Sequence, residues 1–239
     1  MKSIKLLFSL SGILACFLLS MLGCTPLTPP AGLEKAVSDI QLLYGGEIEY
    51  AWGTNHSSTN GKQFYLEIAL ENSLVLDSSF RDFPELPISN MAWVVYMNTY
   101  NQPKHFSSIT SAVIFGDGET YSATYNAEEL KMMRTKMFLL EQTVQLFQTG
   151  KYDWIRSVVD TTLFPYEIES MIKAFPEVDA EMGKVQRFEV LGFEFLELEG
   201  KDYIKIIGHL MRESGYHPYH LAVGTDLMDE AIISMNFEY

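Results

Sequence analysis

Three of the five histidines lie close together near the C-terminus and are the clearest candidates for chemistry. His209 precedes an expected turn over residues 214–218, and His217 and His220 flank the proline of that turn. A hairpin there would bring the three imidazoles together, and with a carboxylate such as Glu213 or Glu230 they would suit zinc. Their spacing matches no common metal motif. We therefore expect a solvated turn and one histidine on a sheet face, with no metal and no cofactor.

A second chemistry that these residue types suggest is acid–base catalysis. Glu194, Asp153 and Asp160 are candidate carboxylates, with His209 or Tyr203 as a partner. A carboxylate in an apolar site has a raised pKa and can abstract a proton. Glu194, however, lies on an alternating strand, where charged side chains usually face solvent. A lyase or isomerase is thus the alternative to a non-catalytic protein.

The common catalytic signatures are absent from the sequence. It contains no phosphate-binding GxxxxGK[ST] loop, no HExxH and no GxSxG. A Ser–His–Asp triad has no fixed sequence signature and stays open. Apolar residues make up 47% of the 239 residues and charged residues 20%, which favours a packed core and excludes extensive disorder.

Both cysteines lie in the first 24 residues, within a pattern typical of an exported protein. Two lysines precede the uncharged residues 6–22, and a small residue, Gly23, comes before Cys24. This layout resembles the lipobox of bacterial lipoproteins, although positions 21 and 22 depart from its usual residues. The resemblance implies a signal peptide over residues 1–23, cleavage between Gly23 and Cys24, and acylation of Cys24, for instance by palmitate, as a membrane anchor.

Two alternatives to this anchor stay open. Cys16 also follows a lipobox-like segment, residues 13–15, but its use would leave residues 17–22 exposed at the mature N-terminus. The apolar stretch is also at the short limit of an uncleaved membrane helix. In each case the lysines stay inside, so the globular part lies outside the cytoplasm.

Cleavage before Cys24 changes both the charge and the chemistry of the chain. The mature protein would have no free thiol, which excludes disulfides and thiolate catalysis. It would keep 15 basic and 31 acidic residues, a formal charge of −16. Such a field repels nucleic acid. We expect a protein of the cell envelope or periplasm, held at a membrane by its anchor. The resemblance to bacterial lipoproteins implies that Thr25, in place of Asp after the cysteine, directs the protein to the outer membrane where one is present.

The elements that would position these residues form an α+β pattern. Residues 24–32 are a proline-rich tether, and residues 33–125 are predicted to be a small α+β unit. Hydrophobic periodicity and turn residues predict its elements: a helix over 33–43, strands over 48–52 and 64–70 joined by an Asn60-Gly61 hairpin, a loop over 77–87, a helix over 88–100, and strands over 109–115 and 121–125.

The second half, residues 126–239, begins with a strong helix signal. Asn126 is a predicted N-cap with Glu129 as its capping-box partner, and Gly150 ends the helix. Two further helices are predicted over 152–163 and 166–175, the last ended by Pro176. Four strands follow, over 185–198, 203–211, 219–223 and 232–239, and Gly192 predicts a bulge in the first of them.

One long helix, two shorter helices and an antiparallel sheet form an order that resembles the cone-shaped fold of the nuclear transport factor and ketosteroid isomerase superfamily. The Gly150-Lys151-Tyr152 turn after the long helix carries most of the resemblance; a cystatin-like domain is the competitor. Members include enzymes and binding modules. We expect binding of an envelope protein partner or a small apolar ligand. The stripe of Met and aromatic residues around Trp93 and Met97 is expected to be part of the core or a surface for a partner.

Overall fold

The computed structural model describes residues 28–57, 61–102, 105–164, 167–226 and 231–237, and it confirms an α+β fold. Helix α1, Leu33–Tyr44, is followed by a first sheet of four strands in the order β1-β2-β3-β4. These are β1, Glu47–Ser57; β2, Gly61–Glu71; β3, Ser108–Ile114; and β4, Thr120–Asn126. The hairpins β1–β2 and β3–β4 are antiparallel, and β2 pairs with β3 in parallel.

The crossover between β2 and β3 contains more helix than the sequence predicts. The expected loop over 77–87 is wrong, because α2, Leu74–Ser79, and the first turn of α3, Glu85–Thr99, occupy much of it. Ser73 caps α2 by accepting from the Leu76 amide, and Leu76 is buried. Pro87 fits inside the first turn of α3, where backbone N–H groups have no partner within the helix.

Helix α4, Ala127–Thr149, begins and ends as predicted. The Asn126 side chain accepts from the Glu129 amide, the Glu129 carboxylate accepts from the Asn126 amide, and Gly150 adopts a left-handed conformation at the C-terminus. The predicted helix over 152–163 is too long. A 3-10 turn, Tyr152–Trp154, leads into α5, Ile155–Val158, and the chain then extends so that Val159 bridges to Ile232.

Helix α6, Ile168–Met182, runs through the proline that was expected to end it. Pro176 is exposed, whereas its neighbours Phe175 and Val178 are buried. The free energy gained by burying these two side chains on one face outweighs the cost of the hydrogen bond that Pro176 cannot donate. None of the helices in the described residues is long and apolar enough to cross a membrane.

The second sheet is antiparallel, in the order β5-β6-β7-β8. Its strands are β5, Val185–Leu198; β6, Lys201–Arg212; β7, Tyr216–Gly224; and β8, Ile232–Phe237. The β5–β6 hairpin turns over two residues, Glu199 and Gly200, both with positive φ, which suits a tight type I′ turn. A register shift between Val190 and Gly192 confirms the predicted bulge.

Helix α3 joins the two sheets. On one side the Ser111 hydroxyl of β3 donates to the carbonyl of Ile88 at 2.7 Å. On the other side, the Ser89 hydroxyl accepts from the Phe193 amide of β5 at 2.9 Å. A Cβ at Gly192 would lie 2.6 Å from the Leu86 carbonyl oxygen, so only glycine lets the helix approach this closely. One hydrophobic core therefore contains residues of both sheets.

Candidate functional site

A groove opens where the N-terminal end of α3 meets the second sheet. It encloses a cavity of about 380 Å³. We name it the α3–β6 groove and define it by its apolar lining, Phe83, Leu86, Leu191, Ile207 and Pro218, and its polar lining, Glu85, Glu194, Lys205, His209 and His220. Apolar walls with a few convergent polar groups are typical of small-molecule sites.

The alternation of strand residues explains which side chains reach the groove. His209 is opposite Pro218, and Ile207 is opposite His220, so these four side chains share one face of β6 and β7. Glu194 of β5 lies opposite Lys205 on the same face. The hairpin register therefore gathers residues that are far apart in sequence.

An ion pair forms part of the groove floor. The Lys205 Nζ lies 3.6 Å from a carboxylate oxygen of Glu194, and each side chain is a little under one third exposed. At this distance the pair is a loose one, so the ammonium keeps donors for a further acceptor. The groove thus offers a cation beside apolar walls.

Burial favours the neutral form of both histidines of the groove. Burial lowers the pKa of His220 to about 4, with a smaller contribution from the Lys205 ammonium. Its Nε2 is 3.2 Å from the Ser234 hydroxyl. Burial also lowers the pKa of His209, although Glu189 on the neighbouring strand opposes the change, and its ring lies 4.4 Å from that of Tyr216. Each neutral imidazole can donate one hydrogen bond and accept another.

The three clustered histidines do not converge. His217 lies opposite Leu210 and is buried with it on the other face of the sheet from His209 and His220. Within the residues that the structure describes, no group of three or more His, Cys, Asp or Glu side chains is arranged to hold a metal. Glu213 lies beside Gly183 and Glu230 falls outside the described residues.

The candidate acid–base residues are also dispersed. Asp153 pairs with Arg156 on the surface, and Asp160 accepts from the amide and hydroxyl of Thr162. Tyr203 is buried beside Ala222 and Ile233, in a small cluster that Leu163 and Leu196 cover. Of these candidates, Glu194 and His209 both line the α3–β6 groove.

A tyrosine–carboxylate hydrogen bond occurs elsewhere, in the interior. The Tyr152 hydroxyl donates to Asp179, which also accepts from Lys184 and, at 2.7 Å, from Arg212. The Asp179 and Arg212 side chains are only 5% and 1% exposed. Burial alone would raise the pKa of Asp179, but the combined effect of its hydrogen bonds is larger, so the pKa is lowered. This cluster ties α6 to β6 and to the turn before α5.

The sequence interpretation missed the apolar half of the groove. Phe83 and Leu86 lie in the segment expected to be a loop, so they were not placed against the second sheet. The alternation of Ile207, His209 and Lys205 along β6 is the signal that identifies the groove's floor. Cys24 and Gly23 lie outside the described residues, so their acylation and cleavage stay predictions.

Comparisons with protein-family models, curated proteins and solved structures found no match for this chain. The residues of the groove and the N-terminal pattern are therefore the features that indicate its function. The resemblances to lipoproteins and to the cone-shaped superfamily stay predictions.

Proposed function

We propose that this chain is a lipid-anchored cell-envelope protein that binds a small, largely apolar ligand in the α3–β6 groove. The observation that carries the proposal is the cavity of about 380 Å³ between α3 and the second sheet. A cavity of this size is within the range that holds small ligands. The lipobox-like pattern ending in Gly23-Cys24 supports the anchor.

The lining indicates what kind of ligand fits. Leu86, Leu191 and Ile207 offer apolar contact, and Lys205 and the two neutral histidines offer hydrogen bonds. A ligand with an apolar body and one acceptor group, such as a carboxylate or carbonyl, would satisfy both sets. Binding would then gain from apolar burial and from one charge-assisted hydrogen bond.

Acid–base catalysis is the second candidate function, because neutral His209 and His220 line the groove with Glu194. Binding is preferred for a geometric reason. Glu194 pairs with Lys205 and His220 with Ser234, and in the described residues no carboxylate is hydrogen-bonded to a groove histidine. In catalytic dyads and triads such a contact holds the imidazole in position.

The experiment uses N-phenyl-1-naphthylamine, an uncharged apolar fluorophore, as the probe for the purified mature protein. Ile207→Trp and Leu191→Trp fill the cavity from two strands, and both should abolish the rise in fluorescence. Leu198→Trp is the control, because Leu198 is 48% exposed on the same sheet but outside the groove. Equal binding by all four proteins, or none by the wild type, would contradict the proposal.

The charged part of the site is tested with an anionic naphthalene sulfonate. Lys205→Met should weaken binding of this probe more than binding of the uncharged one, because the Lys205 ammonium would donate a hydrogen bond to the sulfonate. Equal weakening of both would indicate that Lys205 shapes the cavity without contacting the ligand's acceptor.

A further inference from the structure

A second apolar surface lies on the helical side of the molecule, away from the α3–β6 groove. A shallow depression of about 460 Å³ between α1 and α3 is lined by Leu42, Leu43, Trp93, Val94 and Met97. Leu42 is 83% exposed, Leu43 51% and Met97 39%. Single exposed apolar residues are ordinary, but neighbouring ones mark a contact surface.

Helix α2 extends this surface. The Ser73 hydroxyl donates to the carbonyl of Tyr44, the last residue of α1, at 2.5 Å. This contact places the first residues of α2 at the C-terminal end of α1. Leu74 follows Ser73 and is 85% exposed. We call Leu42, Leu43, Leu74 and Met97 the α1 face.

The chain enters the domain beside the depression, a short way from the proposed anchor. Thr28 lies four residues after Cys24, so their Cα atoms are within about 15 Å of each other. The chain then passes Gly32, whose position lies against the Asn98 carbonyl of α3. Asn98 also lines the depression. Leu42 is about 14 Å along α1 from Leu33, at the helical rise per residue.

We propose that the α1 face lies on the bilayer in which Cys24 is anchored, with its leucines in the boundary between headgroups and acyl chains. The inference rests on the proposed anchor, which limits the domain to a short distance from the membrane. The depression also contains Asp39, whose charge is already met by Lys35 at 2.5 Å and by the Asn98 amide at 3.1 Å. Contact is therefore hydrophobic and insensitive to salt.

The test places an environment-sensitive nitrobenzoxadiazole label on the mature, acylated protein in phosphatidylcholine vesicles. Cys24 is blocked by its lipid and Cys16 is removed, so a cysteine introduced by Leu42→Cys is the one thiol to label. Leu74→Cys gives a second reporter. Leu198→Cys, on the exposed end of β5, is the matched control.

We expect emission from positions 42 and 74 to shift to shorter wavelength and to intensify in vesicles, at low and high salt, while position 198 stays water-like. Intact mass first establishes whether acyl chains are present. Acylated protein whose labels at 42 and 74 behave like the label at 198 would overturn this inference and leave the anchor standing. A shift that disappears on dilution of protein in lipid would indicate a second copy and also overturn it. Protein without acyl chains would overturn the anchor and the inference together.

Discussion

Replacement of Gly192 by alanine should break the contact that builds the α3–β6 groove. The new Cβ would lie 2.6 Å from both the Leu86 carbonyl oxygen and the Ser89 hydroxyl, and 2.7 Å from the Leu86 Cα. Two of these atoms belong to the backbone of α3 and cannot rotate away. The helix or the strand must therefore move.

The cost follows from two effects. Overpacking at a tight contact costs about 1–3 kcal/mol. A shift of α3 also breaks the buried bond from the Phe193 amide to the Ser89 hydroxyl, which adds about 1–2 kcal/mol. We expect Gly192→Ala to lower the free energy of unfolding by about 3 kcal/mol, a large part of the total for a domain.

Urea unfolding of Gly192→Ala measures this loss, with Gly215→Ala as the control. A Cβ at Gly215 would meet its nearest atom, the Met182 Cε, at 3.7 Å, which is ordinary contact. The control should keep wild-type stability. Because Leu86 also lines the groove, Gly192→Ala should weaken binding of the naphthylamine probe as well. Equal stability of the two variants would refute the packing of α3 on β5.

Three further outcomes are expected. Cys24→Ala should abolish labelling with radioactive palmitate; continued labelling would point to Cys16 or end the lipoprotein interpretation. Asp179→Ala leaves the Arg212 guanidinium buried without its carboxylate, so the free energy of unfolding, measured by chemical denaturation, should fall by about 3–5 kcal/mol. A fall of less than about 1 kcal/mol, which is typical of an ion pair on the surface, would contradict this. Burial lowers the pKa of His220 from its ordinary 6.5 to about 4 in the folded protein, so the unfolded chain binds more protons between these two values. Stability therefore falls as the pH falls through this window. His220→Gln should weaken this pH dependence of the free energy of unfolding, and an unchanged dependence would show that another group causes it.

Local signals predicted the elements that depend on them. The capping box of Asn126 and Glu129 and the stop at Gly150 lie within one turn of the helix ends they determine, and α4 forms where they indicate. The bulge at Gly192 and the alternation along β6 are likewise readable from neighbouring residues. These features need no knowledge of the tertiary structure.

Two helix boundaries that were predicted from prolines are wrong, because packing decides where those helices begin and end. Pro176 was expected to end α6, but burial of Phe175 and Val178 carries the helix through it. Pro87 was expected to end the loop and open the helix, although α3 begins two residues before it. A proline removes one donor, and its effect depends on whether the rest of the helix buries enough apolar surface.

The groove itself needed the tertiary structure. Its walls come from Phe83 and Leu86 on one side and from Leu191 and Ile207 on the other, more than a hundred residues apart. What brings them together is the approach of α3 to Gly192, which no local pattern reveals. The sequence identified His209 and His220 as candidates, but it also grouped them with His217, which the pleat places on the other face.

A crystal structure of the mature protein with N-phenyl-1-naphthylamine bound tests the proposed function most directly. Ligand binding in the α3–β6 groove predicts electron density for the naphthalene rings between Leu86 and Ile207, within reach of His209 and His220. Density confined to the α1 face, with the groove closed by its own side chains, would contradict it.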